Sequence, residues 1–226
     1  MGGPLEMIAP KTMADPHTMA IAVTGTVHVV DDDEAVRNSL RFLLESAGLT
    51  VQVYASATAF FQATLAPAGC VLTDYRMPEI DGLQLQHRLG EQGSCLPVIV
   101  MTGHAEVPVA VRAMKAGAVD FLEKPFQEGQ LLDAVMGALE QNRNALAAAV
   151  GSFEAAQQIA LLTPREREVL DLLVTGKSSK EIAKALGTSP RTIDVHRARV
   201  FHKLKVHTLP DLVHLVLAVR PIQPPR

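Results

Sequence analysis

The chain has 226 residues, of which 48% are hydrophobic and 20% charged, and a formal net charge of -3. That length suits two ordinary domains or one large one, and no apolar run reaches the roughly 20 residues of a membrane span, which argues against an integral membrane protein. The small net charge hides an asymmetry: residues 1–159 hold 9 Lys+Arg against 18 Asp+Glu, and residues 160–226 hold 12 against 6. An acidic front and a basic back suggest two domains, of which only the second suits a polyanion.

Residues 1–25 are expected to be a tail. They lean apolar, but Pro4, Pro10, Lys11, Asp15 and Pro16 interrupt them, so no secretory core is evident and a cytoplasmic protein is expected. From Thr26 onward, short apolar strands alternate with amphipathic helices. Strand one is Thr26 to Val30. A helix over Glu34 to Ala47 places Val36, Leu40, Leu43 and Leu44 on one face and stops at Gly48. Strand two, Thr50 to Tyr54, precedes a helix from Ser56 through Leu65. Strand three is Cys70 to Thr73, and a helix from Gly82 to about Glu91 follows. Strand four, Val98 to Met101, a helix over Val107 to Lys115, strand five, Val119 to Leu122, and a helix carrying Leu131, Leu132, Val135, Met136 and Leu139 complete the set. This alternation predicts an α/β fold: a (βα)5 doubly wound parallel sheet covered on both faces. Cys70 and Cys95 are expected to be buried, reduced thiols.

Residues 144–160, rich in Ala, Gln and Asn, are expected to be a linker, either mainly helical, as a continuation of the preceding helix, or partly flexible. Thr163-Pro164-Arg165-Glu166 then spells a capping box with proline at its favoured position. Four short helices follow: one ending at Gly176, one opening at Ser178 or Ser179 and ending at Gly187, one over Arg191 to about Lys205, and one from Thr208. The tight turn at Gly187 between the second and third makes residues 161–226 an all-α, four-helix helix-turn-helix domain.

In an open α/β sheet, ligands bind beyond the carboxyl ends of the strands. Asp31 and Asp32, Asp74, Thr102 and Lys124 each follow a strand of residues 26–143. Taken singly, such an Asp is more often a helix cap, the Lys an exposed charge and the Thr a backbone partner. Together they make a site for a divalent cation and a phosphoryl group. The carboxylates of Asp32 and Asp74, with water placed by Asp31 and a main-chain carbonyl, suit Mg²⁺. A carboxylate can attack phosphorus while Lys124 and Thr102 each meet one phosphoryl oxygen. A simple divalent-cation domain would need neither Thr102 nor Lys124.

These pieces resemble the receiver domain of two-component response regulators. The similarity rests on Val30-Asp31-Asp32, Thr73-Asp74-Tyr75-Arg76-Met77-Pro78, Val100-Met101-Thr102-Gly103-His104 and Glu123-Lys124-Pro125-Phe126, with Ala113 to Ala118 pointing to the FixJ-type branch. The resemblance implies that Asp74 accepts the phosphoryl group from a histidine kinase and that Asp31, Asp32, Asp74 and the Arg76 main-chain oxygen hold Mg²⁺. It also implies a switch at Thr102 and Phe121, with a cis Lys124-Pro125 bond. Arg76 and His104 are expected to tune dephosphorylation through access of the hydrolytic water.

In the third basic helix, Ile193, Val200 and Leu204 fall on the core face. Thr192, Arg199 and Lys203 suit phosphates, and Arg191, Asp194, Val195 and Ala198 could reach base edges. Asp194 is odd beside DNA unless it accepts from a cytosine amino group or orients an arginine. Arg197, near the core face, could pair with Glu166 or Glu168 instead of touching DNA. The last helix is apolar on more than one face, which suggests a partner. The block from Leu162 to Val219 resembles the LuxR-type helix-turn-helix of FixJ and NarL relatives, although NarL-like members carry lysine where this chain has Asp194. That resemblance implies promoter DNA as ligand and a homodimer on activation through Leu212, Val213, Leu215 and Val216.

A phosphorylation-controlled transcription regulator is thus expected, without enzymatic turnover beyond its own phosphorylation and hydrolysis. Two rivals stand beside it. One is a DNA-binding regulator switched by a ligand or partner protein. The other is an aspartate-dependent phosphatase of the haloacid-dehalogenase type, for which Asp31-Asp32-Asp33 lacks the downstream pattern.

Overall fold

The computed structural model describes residues 25–103 and 107–219. It divides into two compact units, residues 1–142 and 143–226. The expected tail, apart from Gly25, and His104 lie outside the described residues. In the first unit the elements run β1 (Thr26–Val30), α1 (Glu34–Ser46), β2 (Thr50–Tyr54), α2 (Ala57–Gln62), β3 (Gly69–Asp74), α3 (Gly82–Glu91), β4 (Val98–Thr102), α4 (Val107–Lys115) and β5 (Asp120–Glu123). The helix α5 (Glu128–Ala160) follows. Strands β3 and β4 extend to include Asp74 and Thr102 themselves, because both residues still hold ladder pairings.

All five strands are parallel, in the order β2-β1-β3-β4-β5. The order reverses between β1 and β3, which opens a crevice at their carboxyl ends. One face of the sheet packs Val27, Val29, Leu72 and Ile99 against Leu40 and Leu44 of α1 and Leu131, Val135 and Leu139 of α5. The other packs Val30, Val71 and Val100 against Phe60 of α2, Leu85 and Leu89 of α3 and Ala113 of α4. Burial on both faces explains why β1, β3 and β4 read as near-continuous apolar runs, while the edge strands β2 and β5 are partly exposed.

Helix α5 is anchored in this unit by a polar residue. Asn142 is 2% exposed; its Oδ1 accepts from the Gly69 amide at 2.9 Å and its Nδ2 donates to the Cys95 carbonyl at 2.9 Å. The side chain satisfies main-chain groups at the start of β3 and before β4 that would otherwise lack partners. Cys70 is buried as expected, and burial pushes its thiol up to about 12. Cys95 is exposed instead, because it sits in the loop between α3 and β4 rather than in the strand.

The second unit packs α6 (Pro164–Leu173), α7 (Ser179–Leu186), α8 (Pro190–Lys203) and α9 (Leu209–Val219) around Val169, Leu170, Ile182, Ile193, Val200, Leu204 and Leu212. Ile159, at the end of α5, belongs to this core. The stretch 144–160 is therefore helical throughout, and its last turn is packed rather than free. The capping box of Thr163 and Glu166 forms, with Pro164 in the first turn. Gly187 closes α7 at φ 62°, a left-handed conformation that glycine adopts without a Cβ penalty. Among the described residues no helix is long and apolar enough to cross a membrane.

Candidate functional site

Three consecutive aspartates at the end of β1 divide their work. Asp33 caps α1, its Oδ1 accepting from the amides of Ala35 at 2.8 Å and Val36 at 3.3 Å. Asp32 is exposed. Asp31 is 1% exposed, turned into the pocket, and takes the Asp33 amide on Oδ1 at 2.9 Å. Arg37 reaches back from α1 to donate to the Asp31 carbonyl at 2.7 Å. The register sets Val30 beside Thr73, so Asp31 and Asp74 leave neighbouring strands at the same level.

Lys124 joins them. Its Nζ donates to Asp31 Oδ2 at 2.7 Å and to Asp74 Oδ1 at 2.6 Å. The loop that carries it follows β5, with Lys124-Pro125 cis and the Lys124 amide bonded to the Thr102 carbonyl at 2.7 Å. The second Asp74 oxygen, Oδ2, accepts from the Arg76 amide at 2.7 Å. Thr102 is 2% exposed at the end of β4, one register step beyond the row of Asp74. Behind the site, Gly82 opens α3 so close that a Cβ there would lie 2.5 Å from the Asp74 carbonyl oxygen. Only glycine permits that approach. In front lies a cleft of about 560 Å³ lined by Asp32, Tyr75, Arg76, Met77, Pro78 and Arg112, among others.

Burial pushes the Asp74 carboxyl up, and this outweighs the bond and charge of Lys124 and the Arg76 amide, which pull it down; the nearby Asp31 adds to the rise. Burial alone would lower Lys124, but its bonds to Asp31 and Asp74 and their charges raise it instead. The ammonium is thus firmly charged, while one ammonium serves the two carboxylates of Asp31 and Asp74.

The second unit presents a basic helix surface. Ile193 and Val200 on α8 and Leu204 at its C-cap are buried as expected, and Arg191, Thr192, Asp194, Val195, Ala198 and Arg199 are exposed. Thr192 shares a 2.8 Å hydroxyl contact with the helix cap Ser189. Asp194 accepts from the Ser179 hydroxyl at 2.7 Å. Lys203, expected at a DNA phosphate, instead donates to the buried Glu166 at 2.7 Å. Its long side chain lies on the flank of α8 and curls toward the start of α6. Arg197 does not take Glu166: its guanidinium lies 5.3 Å from the centre of the Phe201 ring, and Glu168 pairs with Arg165.

Comparison with known proteins agrees with both halves. The response regulator receiver domain model matches residues 27–136, and the model of bacterial regulatory proteins of the luxR family matches residues 160–216. The transcriptional regulatory protein FixJ of Azorhizobium caulinodans is 50% identical over 192 residues, covering 84% of this chain and 91% of that protein. The chain is a FixJ-type response regulator.

Other relatives are regulators too. The tetrathionate response regulatory protein TtrR of Salmonella typhimurium is 43% identical over 190 residues, covering 84% of this chain and 90% of that protein. Among solved structures, full-length FixJ from B. japonicum is 44% identical with a TM-score of 0.54, covering 88% of this chain and 98% of that one. The response regulator StyR is 42% identical with a TM-score of 0.71, covering 85% and 98%. The receiver domain implies a histidine kinase partner, and the luxR-family domain implies DNA binding.

Receiver domains generally use Mg²⁺ at the phosphorylation site. Among the described residues, no three His, Cys, Asp or Glu side chains form a ready-made cage. Mg²⁺ needs no such cage, since it keeps several waters and takes one or two carboxylates. The surplus of carboxylates over ammonium around Asp74 has the right charge and hard-oxygen chemistry, so these residues fit the ion.

Of the expected site residues, the fold brings Asp31, Asp74, Arg76 and Lys124 together, with Asp32 on the cleft. Phe121 is half-buried and packs on the sheet face that carries Phe60 and Leu85. The four apolar residues assigned to a dimer on α9 divide differently. Leu212 and Val216 are 0% and 4% exposed and belong to the domain's own core, with Leu215 packed against it. A helix closing a small core must be apolar toward that core, so its greasiness does not by itself report a partner. Val213 is half-buried. Sequence reasoning also missed Asp33 as the α1 cap, Arg37, Ser179 and Asn142. The spacing Asp33-Glu34-Ala35-Val36 at the start of an amphipathic run was a readable signal for the first.

Proposed function

We propose that Asp74 accepts a phosphoryl group from the phosphohistidine of a histidine kinase, and that this controls promoter binding by the luxR-type domain. The observation that carries the reading is the Lys124 ammonium bonded to both Asp31 and Asp74 beside an open cleft. An Asp74 carboxylate oxygen attacks phosphorus. The P–N bond to the donor imidazole breaks, its electron pair leaves with the nitrogen, and an acyl phosphate forms on Asp74. Lys124 stays charged throughout and meets one phosphoryl oxygen, while the Thr102 hydroxyl meets another. The Arg76 amide holds the carboxylate's orientation. Asp31, Asp32, Asp74 and the Arg76 main-chain oxygen would hold Mg²⁺, which when bound neutralises charge on the transferring group.

Thr102 moving toward the acyl phosphate would free space that Phe121 fills, transmitting the state of Asp74 across the domain. Arg76 on the cleft, with His104, would limit the hydrolytic water. An Arg76→Ala, His104→Ala double variant should therefore change the half-life of the phosphorylated protein, and an unchanged half-life argues against that role. In the second unit, Arg191, Val195 and Ala198 face base edges and Arg199 meets a phosphate. The activated protein binds as a homodimer, for which the half-buried Val213 of α9 is a candidate contact.

The direct test is labelling by acetyl phosphate. Wild type should incorporate phosphate and Asp74→Asn should not, with cooperative promoter binding weakened to match. Retained labelling in Asp74→Asn would move the acceptor elsewhere.

A further inference from the structure

The acidic residue on the basic helix has a partner that explains it. Asp194 is exposed on the same side of α8 as Val195 and Ala198, three residues after Arg191. A carboxylate brought near DNA phosphates is repelled, so its presence needs a compensating use. The Ser179 hydroxyl donates to Asp194 Oδ1 at 2.7 Å. Ser179 is the first residue of α7, where helix-end amides favour a negative charge. That hydroxyl is not needed to start α7. Ser178 already caps the helix by accepting from the Glu181 amide, and Glu181 returns the bond to the Ser178 amide. Among the described residues, no lysine or arginine pairs with Asp194. The carboxylate is therefore aimed before DNA arrives, with little side-chain freedom left to lose.

We infer that Asp194, positioned by Ser179, is a specificity-determining residue that selects a base pair presenting an exocyclic amino group in the major groove, cytosine foremost. A carboxylate only accepts hydrogen bonds. In the major groove the donors are the amino groups of cytosine and adenine. The adenine amino group lies between two acceptors, its own N7 and the O4 of the paired thymine. The cytosine amino group has one such neighbour, the guanine O6. A carboxylate thus meets less repulsion at cytosine, and guanine and thymine offer it no donor. Thr192 and Lys203 are already engaged by Ser189 and Glu166, so they have less to contribute to reading sequence.

This inference rests on the DNA-binding reading above. Its test is selection from a randomised duplex DNA pool by the full-length protein treated with acetyl phosphate. Wild type should enrich a motif with one position per half-site where cytosine is favoured about tenfold. Asp194→Asn should shift that position toward adenine, which asparagine can bond in two places. Ser179→Ala should flatten the preference to about threefold, and Ser179→Thr, which keeps the hydroxyl, should restore it. Thermal unfolding of all three variants should match wild type, since both side chains lie at the surface of folded helices. Identical motifs from wild type and Asp194→Asn overturn the inference, and failure of Ser179→Thr to restore selectivity removes Ser179 from it. If wild type enriches no motif at all, the DNA-binding reading falls with it.

Discussion

Each unit of this response regulator holds one lysine against buried acid, with bond lengths that hardly differ, and the two arrangements do opposite things. Lys124 lies 2.7 Å and 2.6 Å from two carboxylates and leaves negative charge in excess; burial drives the Asp74 carboxyl upward, and the Asp31 charge adds to the rise. Lys203 lies 2.7 Å from a single one, Glu166. There the lysine bond and the Thr163 amide, which outweigh burial, hold the carboxyl down at about 2. A pair that balances is a structural tie. A trio that does not balance is poised to take up a cation and an electrophile. Bond length alone would not distinguish them; whether burial outweighs the compensating bonds does.

The largest effect that bears on this contrast belongs to the unbalanced trio. Lys124→Ala should slow phosphorylation of Asp74 by acetyl phosphate about 100-fold or more, of order 3 kcal/mol, because two carboxylates would then face an incoming anion with no ammonium between them. Initial labelling rates measure it. A rate within a few-fold of wild type would mean Lys124 is a tie like Lys203.

The balanced pair should instead reveal itself in stability. Lys203→Ala strands a buried carboxylate and should cost about 3 kcal/mol. Glu166→Gln, which keeps a polar group of the same shape, should cost about 1–2 kcal/mol. Urea unfolding of the full chain, followed by a probe in the second unit, separates the two. The same comparison at the trio should invert, since Asp74→Asn removes a poorly compensated buried charge. It should stabilise the first unit by about 1 kcal/mol while abolishing function.

Acid sharpens the contrast further. The ordinary glutamate value is 4.5 and the folded Glu166 value is about 2. A depressed carboxyl contributes its stability fully above the unfolded value and loses it as pH falls through the folded one. The second unit should thus weaken between about pH 4.5 and pH 2, by at most about 3 kcal/mol. Repeating the titration with Glu166→Gln should remove that slope. If the slope survives, another group carries it.

Much of the receiver pocket was legible because strand ends in a parallel sheet are fixed by where an apolar run stops. Asp31, Asp74, Thr102 and Lys124 each stand at such a stop, and register then assembles them without further information. Legibility failed wherever a side chain's direction, not its position, decides. Lys203 sits where a phosphate contact is plausible, but a four-carbon stem can turn inward as easily as out. Asp194 read as an anomaly until Ser179, 15 residues earlier, supplied its donor. Leu212 and Val216 of α9 have the same apolarity whether they face their own core or a second copy, and only packing separates the cases.

A modest effect is expected at the sequence boundary between the two units, at Asn142. Asn142 lay at the edge of a stretch that composition marked as linker, yet it is nearly inaccessible and satisfies two main-chain groups, the Gly69 amide and the Cys95 carbonyl. Asn142→Ala leaves both groups with no partner from that side chain and should cost the first unit about 1–2 kcal/mol. Asn142→Leu should cost at least as much, since a larger apolar side chain blocks water from reaching the same groups. Neither should alter the Glu166-dependent acid slope of the second unit, because the tie there involves none of these atoms. Hydrogen exchange at the Gly69 amide gives the local reading, and protection unchanged in Asn142→Ala would show that the bond does not govern opening at the start of β3.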